Sequence, residues 1–343
     1  MTGNLRTWIP RGIVAVAIVL GIAIPFLVTD YDLFAMSRVL AVAICVVSLN
    51  LLMGFSGQIS LGQGAIFGVG GYAAMMLLRY AEWPIGLAVI GAMGVSIVLG
   101  VIIGIPGARL GGFNLGLLTI VIAALFPIVL YRFSDFTGGQ AGITLSGLGL
   151  VSPTDSLTDA QWAYLVILLV LLFCIGVLRV IVSGRTGRAL AALRTAPILA
   201  SSMGIDADRL KATVFVLSSA IAGLGGALYA FVLGLVVPES YPLVFSITIL
   251  VASVVGGGRS WWGAIVGAAA IVYLPSWLSE QIPGDTSAYL AQLIFAIVLG
   301  LCIIIAPQGV AGLVARLYRS LWHSPAPQDP GFTADQPTQK EIQ

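Results

Sequence analysis

The sequence has few charged side chains. Only 9% of its 343 residues are Asp, Glu, Lys or Arg, whereas 59% are hydrophobic and the mean hydropathy is +1.06. A soluble domain of this length needs charged residues over its whole surface, but here the charges lie in short breaks between apolar runs. The composition therefore excludes a soluble globular protein and indicates a polytopic membrane protein. The net charge of +2 gives no reason to expect a nucleic-acid partner.

Cysteine and histidine are also scarce. Cys45, Cys174 and Cys302 each lie inside an apolar run, which favours reduced, buried thiols over a disulfide framework or a metal site. The single histidine, His323, follows Trp322 and suits the membrane interface better than the role of a ligand or proton carrier. The sequence shows neither a nucleophile with a nearby base nor paired carboxylates. It therefore predicts no catalytic centre, no metal site and no cofactor.

Acidic residues are missing from the centres of the apolar runs. Ion-driven carriers usually keep an ionisable group within the membrane, because a group that changes charge couples ion flow to conformational change. This absence disfavours a secondary transporter. A carrier that works alone, or one that binds sodium through backbone carbonyls and hydroxyls, stays open as an alternative. A membrane scaffold that transports nothing is a third alternative.

The apolar runs predict an all-α, polytopic transmembrane bundle of about ten spans, since lipid leaves the backbone no partners outside a helix. The predicted spans are residues 12–28, 36–53, 63–80, 84–107, 114–131, 161–182, 212–234, 243–257, 261–278 and 288–306. The run at 243–257 is short, so a re-entrant segment is an alternative there. No cleavage site follows the first run, and we therefore expect it to be retained as a span.

The charges between the spans predict one orientation in the cell membrane. With both termini in the cytoplasm, most basic breaks face inside and most acidic breaks face outside, as the positive-inside rule requires. The basic insert at 183–211 is then cytoplasmic and the 132–161 loop is external. We predict one transmembrane domain over residues 1–322. The polar, proline-rich tail at 323–343 should be disordered.

Polar and glycine residues interrupt the apolar pattern between Asn50 and Tyr72. Glycines are too frequent there for an undisturbed helix, and the polar side chains would be costly against lipid. A broken helix that lines protein or water is one explanation, because its free N–H groups could meet the carboxylate of a small substrate. Close helix packing is the other, since Gly64 and Gly68 have small-xxx-small spacing. The candidate pathway or substrate residues are Asn50, Ser56, Gln58, Ser60, Gln63, Phe67 and Asn114.

The insert at 183–211 has an ordered pattern of glycine, proline and alanine. Gly184 and Gly187 open a helix that runs to Arg194, Pro197 can begin a second short helix, and Gly204 can end it. Two short helices joined at a corner would form a knob that enters a groove on a soluble partner. An ordinary basic loop is the alternative explanation of the charge. The candidate docking residues are Arg185, Arg188, Arg194, Ala200 and Gly204.

Three segments of the sequence resemble a known family. The run GRALAALR, followed by ILASSMGI and LKATVFVLSSAIAGLGGALYA, is similar to the cytoplasmic coupling loop and next span of the LivM-type permeases of branched-chain amino acid ABC transporters. The earlier run SLNLLMGFSGQISLGQGAIFGVGGYAA and the glycine-rich run from Val254 to Gly267 resemble two further segments of that family. The resemblance extends over about residues 35–315 and keeps the three segments in order.

The resemblance implies a non-catalytic permease subunit that forms half of a translocation path. It implies a heterodimer with a second related permease, two cytoplasmic ATPase subunits that hydrolyse ATP, and an external substrate-binding protein that the 132–161 loop would face. The implied substrate is a branched-chain or other small amino acid, although relatives of this architecture carry urea, short amides or aromatic acids. The chain departs from the family's usual acidic residue at Pro197 and from its Ala-Ala pair at Leu199 and Ala200, so the choice of ATPase can differ.

Overall fold

The computed structural model describes residues 19–281 apart from 111, 146–149 and 154–155, together with 294, 297, 300, 309 and 312. The beginning of the first predicted span, most of the last one and the tail at 323–343 lie outside these residues. The described part of the chain is helical except for its loops and one pair of two-residue strands. This confirms the all-α prediction.

The helices of the described part are labelled in chain order. They are α1 (Asp30–Leu49), α2 (Gln63–Tyr80), α3 (Ile85–Leu110), α4 (Gly112–Arg132), α5 (Ser134–Thr137), α6 (Asp159–Ser183), α7 (Arg185–Thr195), α8 (Pro197–Ser202), α9 (Ala207–Leu233), α10 (Leu243–Gly256) and α11 (Trp261–Gln281). A π-helical segment, Asn50–Ser56, extends α1. Strands β1 (Ile143–Thr144) and β2 (Leu235–Val236) pair antiparallel. Short 3-10 turns occur at Ile24–Phe26, Gly139–Ala141 and Pro238–Ser240.

Seven helical stretches of the described part are long and apolar enough to cross a membrane. They are Asp30–Ser56, Ile85–Arg109, Asn114–Arg132, Asp159–Ser183, Ala207–Leu233, Pro238–Gly256 and Trp261–Leu278. Helix α2 has 18 residues, and most of its side chains are buried among the other helices. The predicted spans between residues 36 and 278 each overlap one of these helices, whereas the total of ten stays a prediction. The helices indicate a multi-pass membrane protein.

Helices α1, α2 and α9 form the centre of the bundle, where α9 lies against α1, α2 and α3. The backbones of α2 and α9 approach so closely that a Cβ on Gly70 would collide with the carbonyl oxygen of Gly223. A Cβ on Gly226 would likewise collide with the carbonyl oxygen of Phe67. Small residues are therefore required where these two helices cross.

The hydrogen bonds at the two ends of the bundle show where the insert and the 132–161 loop lie. At one end, the side chains of Arg194 and Arg259 both donate to the carbonyl oxygen of Gly54. At the other end, the hydroxyl of Tyr80 donates to the carbonyl oxygen of Phe136 at 3.2 Å. Helix α2 runs from one end to the other. The insert at 183–211 and the 132–161 loop therefore lie at opposite ends, as expected, while the end that faces the cytoplasm stays a prediction.

Candidate functional site

The predicted break in the Asn50–Tyr72 region is confirmed. The π-helical segment ends at Gly57, whose φ of +72° lies in the left-handed region that glycine adopts at little cost. The chain then runs without helix until α2 begins at Gln63. A π-helical turn inside a long helix is uncommon and often marks a functional position.

The side chain of Gln63 joins the three central helices. Its amide nitrogen donates to the hydroxyl of Ser48 on α1 at 2.8 Å and to the hydroxyl of Ser218 on α9 at 2.9 Å. The Ser218 hydroxyl in turn donates to the carbonyl oxygen of Ser48 at 2.8 Å. All three residues are buried. Among the described residues, the amide oxygen of Gln63 has no hydrogen-bond partner.

Asn50 connects the π-helical segment to the turn between α10 and α11. Its amide nitrogen donates to the carbonyl oxygen of Ser260 at 3.1 Å, and its oxygen accepts from the hydroxyl of Ser253 at 2.5 Å. The ring of Phe55 stacks on Trp261 at a centroid distance of 5.0 Å. The nitrogen and the oxygen of the Asn50 side-chain amide are thus both used to hold neighbouring segments together in this conformation.

The non-helical stretch after Gly57 contains buried polar atoms that have no hydrogen-bond partner among the described residues. The amide nitrogen of Gln58 donates to the hydroxyl of Ser56 at 2.5 Å and to the carbonyl oxygen of Lys211 at 3.2 Å. The amide oxygen of Gln58 and the hydroxyl of Ser60 are buried, and neither has a partner among the described residues. Buried polar groups of this kind are normally paired with protein or water. Together with the amide oxygen of Gln63, they are groups of the break that can accept a new partner.

The two remaining pathway candidates lie in different surroundings. Phe67 is fully buried and packs against Tyr229, Tyr241 and Phe245, with ring centroids 5.4, 6.2 and 5.8 Å away. Asn114 is exposed in the first turn of α4. The structure therefore groups Asn50, Ser56, Gln58, Ser60 and Gln63 around the break, places Phe67 in an aromatic cluster further along α2, and leaves Asn114 outside the buried group.

The predicted two-helix corner in the insert is confirmed. Helices α7 and α8 are separated by Ala196 alone, and Gly204 follows α8 with a φ of +84°. Ala200 is only 1% exposed, so it packs inside the corner and does not contribute to the outer surface. The outer surface of the corner at α8 is formed by apolar residues that sequence reasoning missed, namely Ile198 and Leu199 of α8 and Met203 directly after it, which are 88%, 57% and 73% exposed.

The arginines of the insert are placed differently from one another. Arg185 and Arg188 are exposed on α7. The guanidinium of Arg194 instead donates to the carbonyl oxygen of Gly54, which also accepts from Arg259 at 3.2 Å. Partial burial, and secondly the positive charge of Arg259, lower the pKa of Arg194. Sequence reasoning found Arg194 but missed its partners, because Gly54 lies 140 residues away along the chain.

A bundle of apolar helices with a buried polar break at its centre and an ordered insert at one end agrees with a membrane transport protein. The chain belongs to the family described as branched-chain amino acid transport system permease components, whose model matches residues 33–307. This confirms the predicted family.

Individual relatives agree with the family match. The chain is 30% identical over 321 residues to the high-affinity branched-chain amino acid transport system permease protein LivM of Escherichia coli, over 85% of this chain and 73% of that protein. It is 29% identical over 315 residues to the protein of the same name from Salmonella typhimurium, with the same coverage. A probable branched-chain amino acid transport permease protein LivH of Methanocaldococcus jannaschii is 28% identical over 73% of this chain and 82% of that protein.

Proposed function

We propose that this chain is one permease subunit of an ATP-driven importer for branched-chain or other small amino acids. It forms half of the translocation pathway, and a second related permease forms the other half. Two cytoplasmic ATPase subunits supply the energy, and an external binding protein delivers the substrate. The family match over residues 33–307 and the named functions of the relatives support this proposal.

The observation that carries the proposal is the exposed apolar surface of α8. Ile198 and Leu199 project from a helix of only six residues, and Met203 follows its end; the buried Ala200 packs this helix against the rest of the insert. Apolar side chains grouped on an exposed, ordered corner favour a protein partner. Arg185 and Arg188 on the neighbouring α7 add positive charge beside this surface. The occupant that fits is a groove with an apolar floor and an acidic rim on an ATPase subunit.

The orientation follows from the same proposal. Docking to a cytoplasmic ATPase places the insert, the end of the π-helical segment and Arg259 on the inner side of the membrane. The 132–161 loop then faces outward toward the binding protein, and both termini are cytoplasmic. The excess of basic side chains in the insert agrees with this orientation.

Replacing Ile198 with Asp should detach the ATPase. The change places a charge in the middle of the apolar surface of α8, so co-purification of the ATPase should fall at least about tenfold, which corresponds to about 1.4 kcal/mol of binding free energy. Gly204→Val should weaken docking as well, because a β-branched residue is strained at a φ of +84°. Pull-down through a tag on this chain measures both effects.

Val151→Asp is the matched control, since Val151 is an exposed apolar residue of the 132–161 loop at the other end of the bundle. Its ATPase co-purification should stay at the wild-type level. If Ile198→Asp and Gly204→Val both retain the ATPase and its substrate-stimulated hydrolysis, the insert is an ordinary basic loop.

Gln58 and Gln63 should respond differently to replacement by Ala if the break contributes to the pathway. Gln63→Ala removes the donor from a buried junction of three helices, so it should cost about 1–3 kcal/mol of stability and lower the yield of folded protein. Gln58→Ala removes bonds to the Ser56 hydroxyl and the Lys211 carbonyl in a stretch that is not helical, so it should lower that yield less than Gln63→Ala does. It should alter the uptake kinetics at least about threefold. Wild-type kinetics in Gln58→Ala would support the packing explanation of the break.

A further inference from the structure

Arg194 lies between the insert and the broken helix, where it caps the end of the π-helical segment. The last turn of a helix leaves carbonyl groups without intrahelical donors. The carbonyl of Gly54 is in this last turn, and it accepts from Arg194 on α7 and from Arg259 in the turn between α10 and α11. Positive side chains also interact favourably with the negative end of the helix dipole. Two cations from different segments therefore stabilise one helix end.

The aliphatic part of the Arg194 side chain, its stem, also contacts the break, at Gly57. A Cβ added to Gly57 would lie 3.2 Å from the Cγ of Arg194, so the arginine stem passes directly over this glycine. The far end of the insert meets the break again, because Gln58 donates to the carbonyl oxygen of Lys211. The insert thus holds the broken helix at two points, one on each side of Gly57.

The opposite side of the π-helical segment is attached to the α10–α11 turn. A Cβ on Gly54 would collide with the carbonyl oxygen of Gly258, so the two backbones are in direct contact. Asn50 and Phe55 add a hydrogen bond to Ser260 and a ring stack on Trp261. A displacement of the π-helical segment must therefore also displace this turn.

The contact of Arg194 with Gly54 can be released without breaking an ion pair. Among the described residues, the salt bridge present joins Arg209 to Asp206, and neither Arg194 nor Arg259 takes part in one. The two guanidinium groups that share the Gly54 carbonyl repel each other. Beyond the contact lie the oxygens of Gln58 and Ser60, which are buried and have no partner in the described part of the chain. A movement of the helix end would change their surroundings.

We propose that Arg194 is a transmission residue, which passes movement of the ATPase-bound insert to the broken helix through the carbonyl of Gly54. It is a positioning residue, since it acts on the polar stretch after Gly57 through the π-helical segment. The proposal rests on the function proposed above, because it requires an ATPase docked on the insert. Under this proposal the outer surface of α8 binds the ATPase, whereas Arg194 passes the movement of the bound insert to the broken helix.

The test compares uptake with ATP hydrolysis in proteoliposomes that hold the complete transporter. Arg194→Met keeps the stem over Gly57 and removes the donors to Gly54. ATPase co-purification and hydrolysis should stay within about twofold of wild type, while substrate taken up per ATP hydrolysed should fall at least about tenfold. Arg179→Met is the control, because Arg179 is an exposed arginine of α6 that lies outside the insert. Its uptake per ATP should stay within about twofold of wild type.

An unchanged ratio of uptake to hydrolysis in Arg194→Met would overturn the proposal. Loss of ATPase co-purification in that variant would also overturn it, since Arg194 would then serve docking. If Arg194→Met does not fold, Arg194→Gln gives the same test with a polar side chain too short to reach Gly54, and a wild-type ratio in it would reject transmission. These outcomes differ from a failure of the proposed function. If the proposed function is wrong, the wild-type complex itself binds no ATPase or shows no ATP-driven uptake.

Discussion

Uptake by proteoliposomes that hold the assembled complex should fall to the level of empty liposomes when ATP is omitted. It should persist when an ionophore collapses the ion gradients. The reason lies in the membrane helices, because the acidic residues of the helices in the described part lie at helix ends, as Asp30, Asp159 and Asp208 do. No acidic group at mid-membrane is then available there to couple an ion gradient to transport.

The measurement is accumulation of labelled leucine, isoleucine or valine in the presence of the external binding protein. A non-hydrolysable nucleotide serves as the control for nucleotide binding without hydrolysis. Uptake by this chain alone that an ionophore abolishes would contradict the importer and support a stand-alone or sodium-coupled carrier. Competition by unlabelled urea, short amides or aromatic acids, with none by branched-chain amino acids, would move the substrate class to one of those compounds.

Gly70→Val should prevent the bundle from forming. A side chain at this position would occupy the space of the Gly223 carbonyl, so α2 and α9 would have to separate along their whole crossing. Overpacking of a well-packed interior costs about 1–3 kcal/mol, and a clash with backbone exceeds that range because no side chain can rotate away. We expect almost no monodisperse protein after detergent extraction, measured by size-exclusion chromatography of a fluorescent fusion.

Gly94→Val provides the matched control for this change. Gly94 also lies within a membrane helix, α3, but a Cβ there meets nothing within 4 Å among the described residues. The same substitution should therefore leave the yield near the wild-type level. Equal yields from Gly70→Val and Gly94→Val would show that the α2–α9 crossing can widen at little cost.

The positions of the helices could be predicted from the sequence because they depend on local properties. An apolar run of sufficient length becomes a helix in lipid wherever it lies in the chain. The corner of the insert was also predictable, since Pro197 and Gly204 restrict the backbone at their own positions. Both features need only information from neighbouring residues.

The partners of the candidate site could not be predicted, because they are contacts between distant parts of the chain. The sequence gives no sign that Arg194 and Arg259 meet at one carbonyl, or that Ala200 is buried while Ile198 is exposed. The two explanations of the glycine-rich break, helix packing and a pathway lining, apply to different residues. Gly64 serves packing, since a Cβ there would lie 2.5 Å from the Ser246 hydroxyl, whereas Gln58 keeps an oxygen available for another partner.

Helix α9 is one continuous helix that extends from the insert at one end of the bundle to the 132–161 loop at the other. It begins at Ala207, within the last residues of the insert, and runs for 27 residues without a break, a length of about 40 Å. At its far end, β2 follows immediately and pairs with β1 of the 132–161 loop, with Leu145 also donating to the carbonyl of Gly234 at 3.0 Å. A tilt of α9 by about 5° would displace one end by about 3.5 Å relative to the other. A change in the angle between α9 and the insert at one end of the bundle would therefore shift the 132–161 loop at the other end.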